Sequence, residues 1–524
     1  MRRFLSVVAA VGAILAASAI PASAHGSRPL KPRTVVTTDM EQDDLASLIR
    51  YLLYTDEVDT EGIIYTSSRF HWAGDGKGTE FFLPGREYKT PQTSWRWTGT
   101  RTIQDQVLPA YAKVYGNLKR HDPAYPAPGE LLSKVRVGNI VFEGEMAQDT
   151  PGSDLIRSLL LDHDQRPLYL QAWGGTSTIA RALKSIQERY SGTPQWHRIQ
   201  AAVSAKAVIL ASGFQDETYA NYIAVSWPAI RVEELSAGYA TWGYNCNFGG
   251  TGNVRGLPAD RVYFSGAWIR QNIQIGPYGS LYRSWLDGQS MPGDPLDIFG
   301  DPVAAAGGWC PPLGPYDFLS EGDNVAFNPL LTTGIEAPSN PALGGWGGRA
   351  TQVTASPNLW KPAATEKDRG GADVANYTTL RWAAAAQNDF AARIQWTLTP
   401  HYSAANHPPS VRIVAGPSIA ADRVPIVTGP SIAADRASSV KARPGSLVRL
   451  SARVSDPDRD HVATSWWQYR EEGTYPGAVP ISPSGAVGVP ADARPGQTIS
   501  VILQGTDNGD YPLTRYDRVT IRVV

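Results

Sequence analysis

Cysteine is scarce in this 524-residue chain, and two thiols, Cys246 and Cys310, exclude a disulfide-built framework. Neither sign of charge dominates. The 48 lysines and arginines against 49 aspartates and glutamates leave no electrostatic case for nucleic acid or an anionic membrane surface as partner. Beyond residue 24 no apolar run approaches the ~20 residues of a membrane helix. HExxH, CxxC, GxSxG and phosphate-loop patterns are all missing. Zinc proteases, thiol redox enzymes, serine esterases and nucleotide phosphatases lose support accordingly. Charged residues are only 19%, while glycine and proline number 50 and 40. The chain is therefore loop-rich, yet at 42% hydrophobic it is too apolar for wholesale disorder.

What is present begins with an export signal. Arg2 and Arg3 precede an apolar stretch from Phe4 to Ile20, and Ala22-Ser23-Ala24 offers a small-residue cleavage site. Residues 1–24 are expected to be a secretory signal peptide, which makes the mature protein secreted. The remaining 500 residues allow roughly two to four domains at ~150 residues each.

From Val35 to Tyr190 short β-rich runs alternate with amphipathic helices. Thr34–Thr38 reads as a strand, and Leu45, Leu48, Ile49, Leu52 and Leu53 then fall on one face of a 3.6-residue period. Gly62–Thr66, Leu168–Ala172 and Ala207–Ala211 read as buried strands, with a helix over Thr176–Tyr190. This rhythm predicts an α/β fold whose mostly parallel sheet is flanked by helices. Tryptophan-rich loops interrupt it, carrying Trp72, Trp95, Trp97, Trp173, Trp242, Trp309 and Trp346. A helix over Thr378–Trp396 closes the domain, expected to span 25–407. Asn406-His407-Pro408-Pro409 opens a linker over 408–443, in which IVAGPSIAADR recurs as IVTGPSIAADR. Four β-rich runs follow and predict a small immunoglobulin-like β-sandwich over 444–524. On its strand Trp466 and Trp467 point to opposite faces.

The chemistry concentrates in Thr37-Thr38-Asp39-Met40-Glu41-Gln42-Asp43-Asp44, where the first strand ends and a helix begins. Ligands of open α/β sheets collect at the carboxyl ends of strands. Three aspartates and a glutamate within six residues repel one another, and an all-oxygen cluster suits Ca²⁺ or Mg²⁺ rather than zinc. Helix capping by Asp43 and Asp44 is the competing reading, though it leaves Asp39 unexplained.

The order Asp39, Asp43, Asp44 (DxxxDD) between strand and helix resembles the signature of the calcium-dependent nucleoside hydrolases, and Glu61-Gly62-Ile63-Ile64 resembles their second strand. More closely, the whole mature chain resembles the secreted bacterial cellulose-binding, nucleoside-hydrolase-like family, whose members end in a β-sandwich. Ser320-Glu321-Gly322-Asp323, GGWGGR at 344–349, Gln387-Asn388-Asp389-Phe390-Ala391, Trp467-Gln468-Tyr469 and Thr506-Asp507-Asn508-Gly509 carry that resemblance. It implies that Asp39 ligates Ca²⁺ and takes a proton from the attacking water, with Asp44, the Ser177 carbonyl and Asp323 as further metal ligands. Asp43 and Asn221 are implied as sugar contacts, with Tyr222 replacing Asn221 if the match slips by one residue. The implied reaction is calcium-dependent hydrolysis of a glycosyl bond in a carbohydrate or glycoside, with metal-bound water attacking the anomeric carbon. A non-catalytic cellulose- or plant-glycan-binding protein is the alternative. Thr37 and Glu41 favour it, standing where the enzymes have aspartate and glycine.

Three further features have open readings. His71 is a structural histidine or a group at the sheet edge. The run Asp456-Pro457-Asp458-Arg459-Asp460 is an acidic turn, or binds calcium with Asp507 and Asp510. Cys246 and Cys310 are paired or separate, and pairing them would stabilise by roughly 4 kcal/mol.

Overall fold

The computed structural model describes residues 30–238, 258–284, 291–294, 321–363, 365–368, 370–415 and 438–524. The expected signal peptide, both cysteines, Trp242, Trp309 and most of the duplicated segment lie outside the described residues.

Eight strands make one sheet. They are β1 (Arg33–Thr38), β2 (Asp59–Tyr65), β3 (Val135–Val137), β4 (Leu168–Ala172), β5 (Ala207–Ala211), β6 (Arg231–Glu234), β7 (Ala350–Val353) and β8 (Ser356–Pro362). Their order is β3-β2-β1-β4-β5-β6-β8-β7, and all pairings are parallel except that of β7 with β8. The central strands β1, β4 and β5 are buried along their whole length, as strands covered on both faces must be. Alternation divides them between two cores. Val36, Ile63, Tyr169 and Val208 point to one, with the helices Gln42–Leu52, Leu108–His121 and Ala383–Leu398. Val35, Ile64, Leu170 and Ile209 point to the other, with the helices Pro151–Leu161 and Ser177–Tyr190.

After a short hairpin, β9 (Thr365–Lys367) and β10 (Asp373–Ala375), the sandwich follows. Its strands are β11 (Ser410–Ala415), β12 (Ser438–Ala442), β13 (Leu447–Ser455), β14 (Ala463–Gln468), β15 (Ala486–Gly488), β16 (Thr498–Thr506) and β17 (Thr514–Val523). They form sheets ordered β11-β13-β15 and β12-β17-β16-β14. The span 408–443 therefore is not all linker. Its two ends are strands, because β11 pairs along β13 and β12 along β17, which places them inside the sandwich.

The strand alternation at β14 is met. Trp466 packs against the core inside the sandwich, and Trp467 against the core shared with the α/β sheet. Tyr469, Ile502 and Tyr516 belong to that shared core too. Trp382 sits between, its ring centroid 5.3 Å from that of Tyr516 and 6.1 Å from that of Tyr469. Among the described residues no helix is long and apolar enough to cross a membrane.

Candidate functional site

Hydrogen bonds continue past the carboxyl ends of the central strands. The amide of Thr66 donates to the Thr38 carbonyl, that of Trp173 to Thr37, and that of Ser212 to Ala172. These bonds fix the turns after β1, β2, β4 and β5 side by side at one edge. Thr37, where the resemblance implies an aspartate, donates its hydroxyl to the Gln171 carbonyl at 3.0 Å. Its role is to tie β1 to β4.

The chain then turns through Met40, which is fully buried at φ 56°, a left-handed conformation that costs a residue with a Cβ of order 1 kcal/mol or more. The Met40 amide donates to Thr38 Oγ1 at 2.9 Å, and Thr98 Oγ1 donates to its carbonyl at 2.9 Å. Asp39 on one side and Glu41 on the other are thereby aimed at the sheet edge. Glu41, at the N-cap of the helix Gln42–Leu52, makes no capping bond. Capping accounts for Asp43, which accepts the Asp44 amide in the first turn, and leaves Asp39 unexplained.

Asp39, Asp44 and Asp323 are all buried. Both carboxylate oxygens of Asp39, Oδ2 of Asp44 and Oδ2 of Asp323 have no hydrogen-bond partner. The other oxygen of Asp44 accepts from the Thr38 hydroxyl. Asp323 arrives from far along the chain, and the helix Gln42–Leu52 holds it there. Its amide donates to Ser47 Oγ at 3.1 Å, and Arg50 clasps the neighbouring Glu321 through two bonds of 2.7 and 2.8 Å. Burial raises the Asp44 carboxyl well above the usual range, and the charges of Asp323 and Asp39 raise it further. Burial and the charge of Asp39 do the same to Asp323. Burial, then Glu41, pushes Asp39 up to about 6. Acceptor-only groups in this state call for a cation or for protons.

Two residues outside the implied ligand set, His71 and Glu41, stand beside these carboxylates. His71, in the loop after β2, is fully buried and meets the Glu41 carboxylate through Nε2, while Nδ1 donates to the Arg96 carbonyl at 2.6 Å. Burial disfavours its charge, yet Glu41 outweighs burial and lifts it to about 9. Burial likewise opposes ionisation of Glu41, but His71 holds it down to about 2. Possible ligand atoms of Asp39, Glu41 and His71 lie within 4.8 Å of one another, as do those of Glu41, Asp43 and Asp44. Glu41 belongs to both trios. The loop carrying His71 is ordered by paired backbone bonds between Trp72 and Trp95, and Trp72 and Trp173 are core residues at 0% exposure. Position after a second strand was the one available signal for His71.

The glycine loop after β4 closes the site. A Cβ on Gly174 would lie 3.0 Å from Asp39 Cβ and Cγ. A Cβ on Gly175 would lie 2.3 Å from an oxygen of Asp216. Asp216, not singled out in the sequence, organises this turn by accepting from the Ser177 amide at 3.0 Å and Thr176 Oγ1 at 3.1 Å. Ser177 opens the helix Ser177–Tyr190, its hydroxyl 3.4 Å from Thr66 Oγ1. These bonds of Ser177 go to Asp216 and Thr66, not to the three carboxylates. Asp43 is buried in the first turn of its helix, accepting from the Asp44 amide at 3.0 Å. Asn221 is exposed on the turn Tyr219–Ile223. Tyr222 is buried, donating to Gln187 Oε1 at 2.6 Å and accepting from Trp227. Neither bond of Tyr222 reaches the acidic edge.

Comparison with known proteins agrees with this architecture. A solved structure described as a nucleoside hydrolase-related hypothetical protein from Saccharophagus degradans, associated with carbohydrate metabolism, is 25% identical. It matches with a TM-score of 0.65 over 94% of this chain and all of that one. A plant nucleoside hydrolase, PpNRh1, matches at 9% identity and a TM-score of 0.30, over 70% of this chain and 99% of its own, a likeness that carries no argument. No curated protein matches. Residues 447–523 match the C-terminal domain of the cellulose-binding protein Sde0182, and residues 33–350 match the nucleoside hydrolase-like domain of cellulose-binding Sde182. The chain belongs to this cellulose-binding, nucleoside-hydrolase-like family.

Proposed function

We propose that this protein is exported, binds a carbohydrate or glycoside at the carboxyl edge of its sheet, and hydrolyses a glycosyl bond there with Ca²⁺ as cofactor. The observation that carries the reading is the set of four unpartnered oxygens on Asp39, Asp44 and Asp323. The donors are all hard oxygens and mutually repulsive, which fits Ca²⁺. Those three residues would hold it, together with the carbonyl of Ser177 as the resemblance implies. A bound Ca²⁺ supplies acidification and positioning of water.

Asp39, fully buried with both carboxylate oxygens unpartnered, would serve as general base to the attacking water. Asp43, one turn on, binds a sugar hydroxyl. Glu41 and His71 form the wall beside Asp39 and set which sugar enters. The buried loop behind them excludes bulk water from the acidic edge. Of the tryptophans in that loop Trp72 is core, while Trp95 and Trp97 are half-buried, so these two rings join the polar groups as candidates for sugar recognition.

One observation favours a second reading, a cellulose- or plant-glycan-binding protein without catalysis. The Glu41–His71 pair fills the position beside Asp39 where the resemblance implies glycine. Asp39→Asn separates the two. The test is a panel of p-nitrophenyl furanosides and pyranosides, nucleosides and plant-wall oligosaccharides with Ca²⁺. Under the hydrolase reading the wild type cleaves a member of the panel, the variant loses ~10²–10⁴-fold in rate, and retention on cellulose persists. Wild-type inactivity across the panel, with retention on cellulose intact, establishes the binding reading instead.

A further inference from the structure

The turns joining the strands of the sandwich hold a second group of bare oxygens, remote in sequence from Asp39. Asp456 follows β13 and Asp507 follows β16, while Asn406 belongs to the segment leaving the α/β domain. Each of the three side chains is anchored at one end and unpartnered at the other. Asp456 Oδ1 accepts the amides of Asp458 and Asp460 at 2.8 and 3.0 Å. Asp507 Oδ1 accepts Asn406 Nδ2 at 3.0 Å and the amides of Leu513 and Gly509 at 2.9 and 3.2 Å. Asn406 Nδ2 is directed also at the Tyr511 carbonyl, at 3.5 Å. Left over are Oδ2 of Asp456, Oδ2 of Asp507 and Oδ1 of Asn406, all buried and without a hydrogen-bond partner. Asp507 and Asn406 are only 4% and 6% exposed.

The Asn406 amide is not reversible, because turning it would set its oxygen against the Asp507 carboxylate. Gly509 shows how closely the elements meet. A Cβ there would lie 2.5 Å from both Asn406 Cγ and Asp460 Oδ2. The group is thus Asn406, Asp456, Asp460 and Asp507, gathered round a residue that only glycine can be. Burial holds the Asp507 carboxyl above its usual range, and the charge of Asp456 adds to this. A single water does not satisfy the group, since it has two hydrogens to give and the leftover oxygens with Asp460 want more.

We propose that Asn406, Asp456 and Asp507, with the charge of Asp460 beside them, form a Ca²⁺ site that clamps the end of the α/β domain to the sandwich. Two carboxylates and an amide oxygen are hard ligands, and their placement on turns gives the adaptable oxygen cage that Ca²⁺ accepts and Mg²⁺ does not. Its role is structural. Asn406 comes from one side of the seam and the aspartates from the other, so an ion bound between them favours the assembled state alone.

The test is a calorimetric Ca²⁺ titration of the full-length protein, to millimolar concentration, with thermal unfolding as a second readout. Asp44→Asn serves as the background that disables the carboxyl-edge site. That variant is expected still to bind one Ca²⁺ and to melt higher in its presence. Adding Asp507→Asn should weaken the remaining binding on the order of ten-fold or more by removing one ligand charge, and the same change leaves Oδ1 able to accept its three bonds. Asp460→Asn should weaken it similarly without touching those anchors, so it stands in if Asp507→Asn fails to fold. No binding and no calcium-dependent midpoint in Asp44→Asn overturns the proposal, as does binding that both seam variants leave unchanged. Wild type and Asp44→Asn binding a single ion alike, lost on Asp460→Asn, would instead uphold the seam site and remove Ca²⁺ from the carboxyl edge.

Discussion

His71 and Glu41 form a buried ion pair beside Asp39, one from the loop after β2 and the other from the entrance to the helix Gln42–Leu52. The imidazolium donates from both nitrogens, to Glu41 and to the Arg96 carbonyl. Arg96 itself, in a left-handed conformation at φ 45° and paired with Asp294 at 2.9 Å, is thus spent on placing one histidine.

That pairing sets the histidine's protonation. Burial alone would push His71 below its ordinary value, and Glu41, with a smaller contribution from Asp39, lifts it to about 9. In Glu41→Gln the imidazole should therefore titrate below about 6.5. NMR titration of the ring protons in calcium-free protein checks this. A histidine that stays charged above pH 8 in the variant would mean that another group supports it.

Gly174 should be intolerant of a methyl group. Its Cβ would meet Asp39 Cβ and Cγ at 3.0 Å and the Asp39 amide at 3.3 Å, and Asp39 is fully buried. Gly174→Ala should cost about 1–3 kcal/mol through overpacking and move the carboxylate. Chemical denaturation reads the first effect. Ca²⁺ affinity in the Asp460→Asn background reads the second, and a variant with unchanged stability and affinity would contradict this packing.

The parallel sheet was legible because short β-rich runs at β1, β4 and β5 alternate with helices of 3.6-residue apolar period. The DxxxDD spacing was legible because its three aspartates lie within six consecutive positions, between the end of β1 and the first turn of the helix Gln42–Leu52. His71 was not, since its position depends on a loop whose course follows from Met40 and Arg96 adopting positive φ, a property their residue types disfavour. Asp216 was hidden for another reason. It acts through backbone amides of a distant turn, and an isolated aspartate after β5 carries no periodic signal. The expected linker erred at both ends because β11 and β12 are short, and their pairing partners lie far along the chain.

Glu336 gives the fold a pH dependence. Burial raises its carboxyl to about 7, although its oxygen accepts from the amides of Thr333 and Gly334. The unfolded chain releases this proton near 4.5 and the folded chain holds it to about 7. Stability from this group is therefore full below pH 4.5 and lost as pH rises through 7, by about 3 kcal/mol in total. Glu336→Gln keeps an acceptor oxygen and removes the charge. Its melting point should exceed the wild type's at pH 8 and match it at pH 4.5. A difference that does not change with pH would exclude Glu336 as the titrating group.

The seam between α/β domain and sandwich should survive cutting of the chain. Trp382 packs edge-on to Tyr516, Arg515 meets Asp389 at 2.8 Å, and the Arg381 guanidinium lies 4.3 Å over the Tyr469 ring. Arg518 donates to the carbonyls of Ile335 and Leu343 across the same boundary. A protease site inserted within the duplicated GPSIAADR segment and then cleaved should leave two fragments that elute together in size exclusion. Trp382→Ala removes the ring at the centre of this contact, and truncation of a buried tryptophan costs ~3–5 kcal/mol. The cleaved variant should separate at a denaturant concentration that leaves the cleaved wild type associated. If wild-type fragments part on cleavage without denaturant, then the chain connection rather than the aromatic and ionic packing holds the sandwich in place.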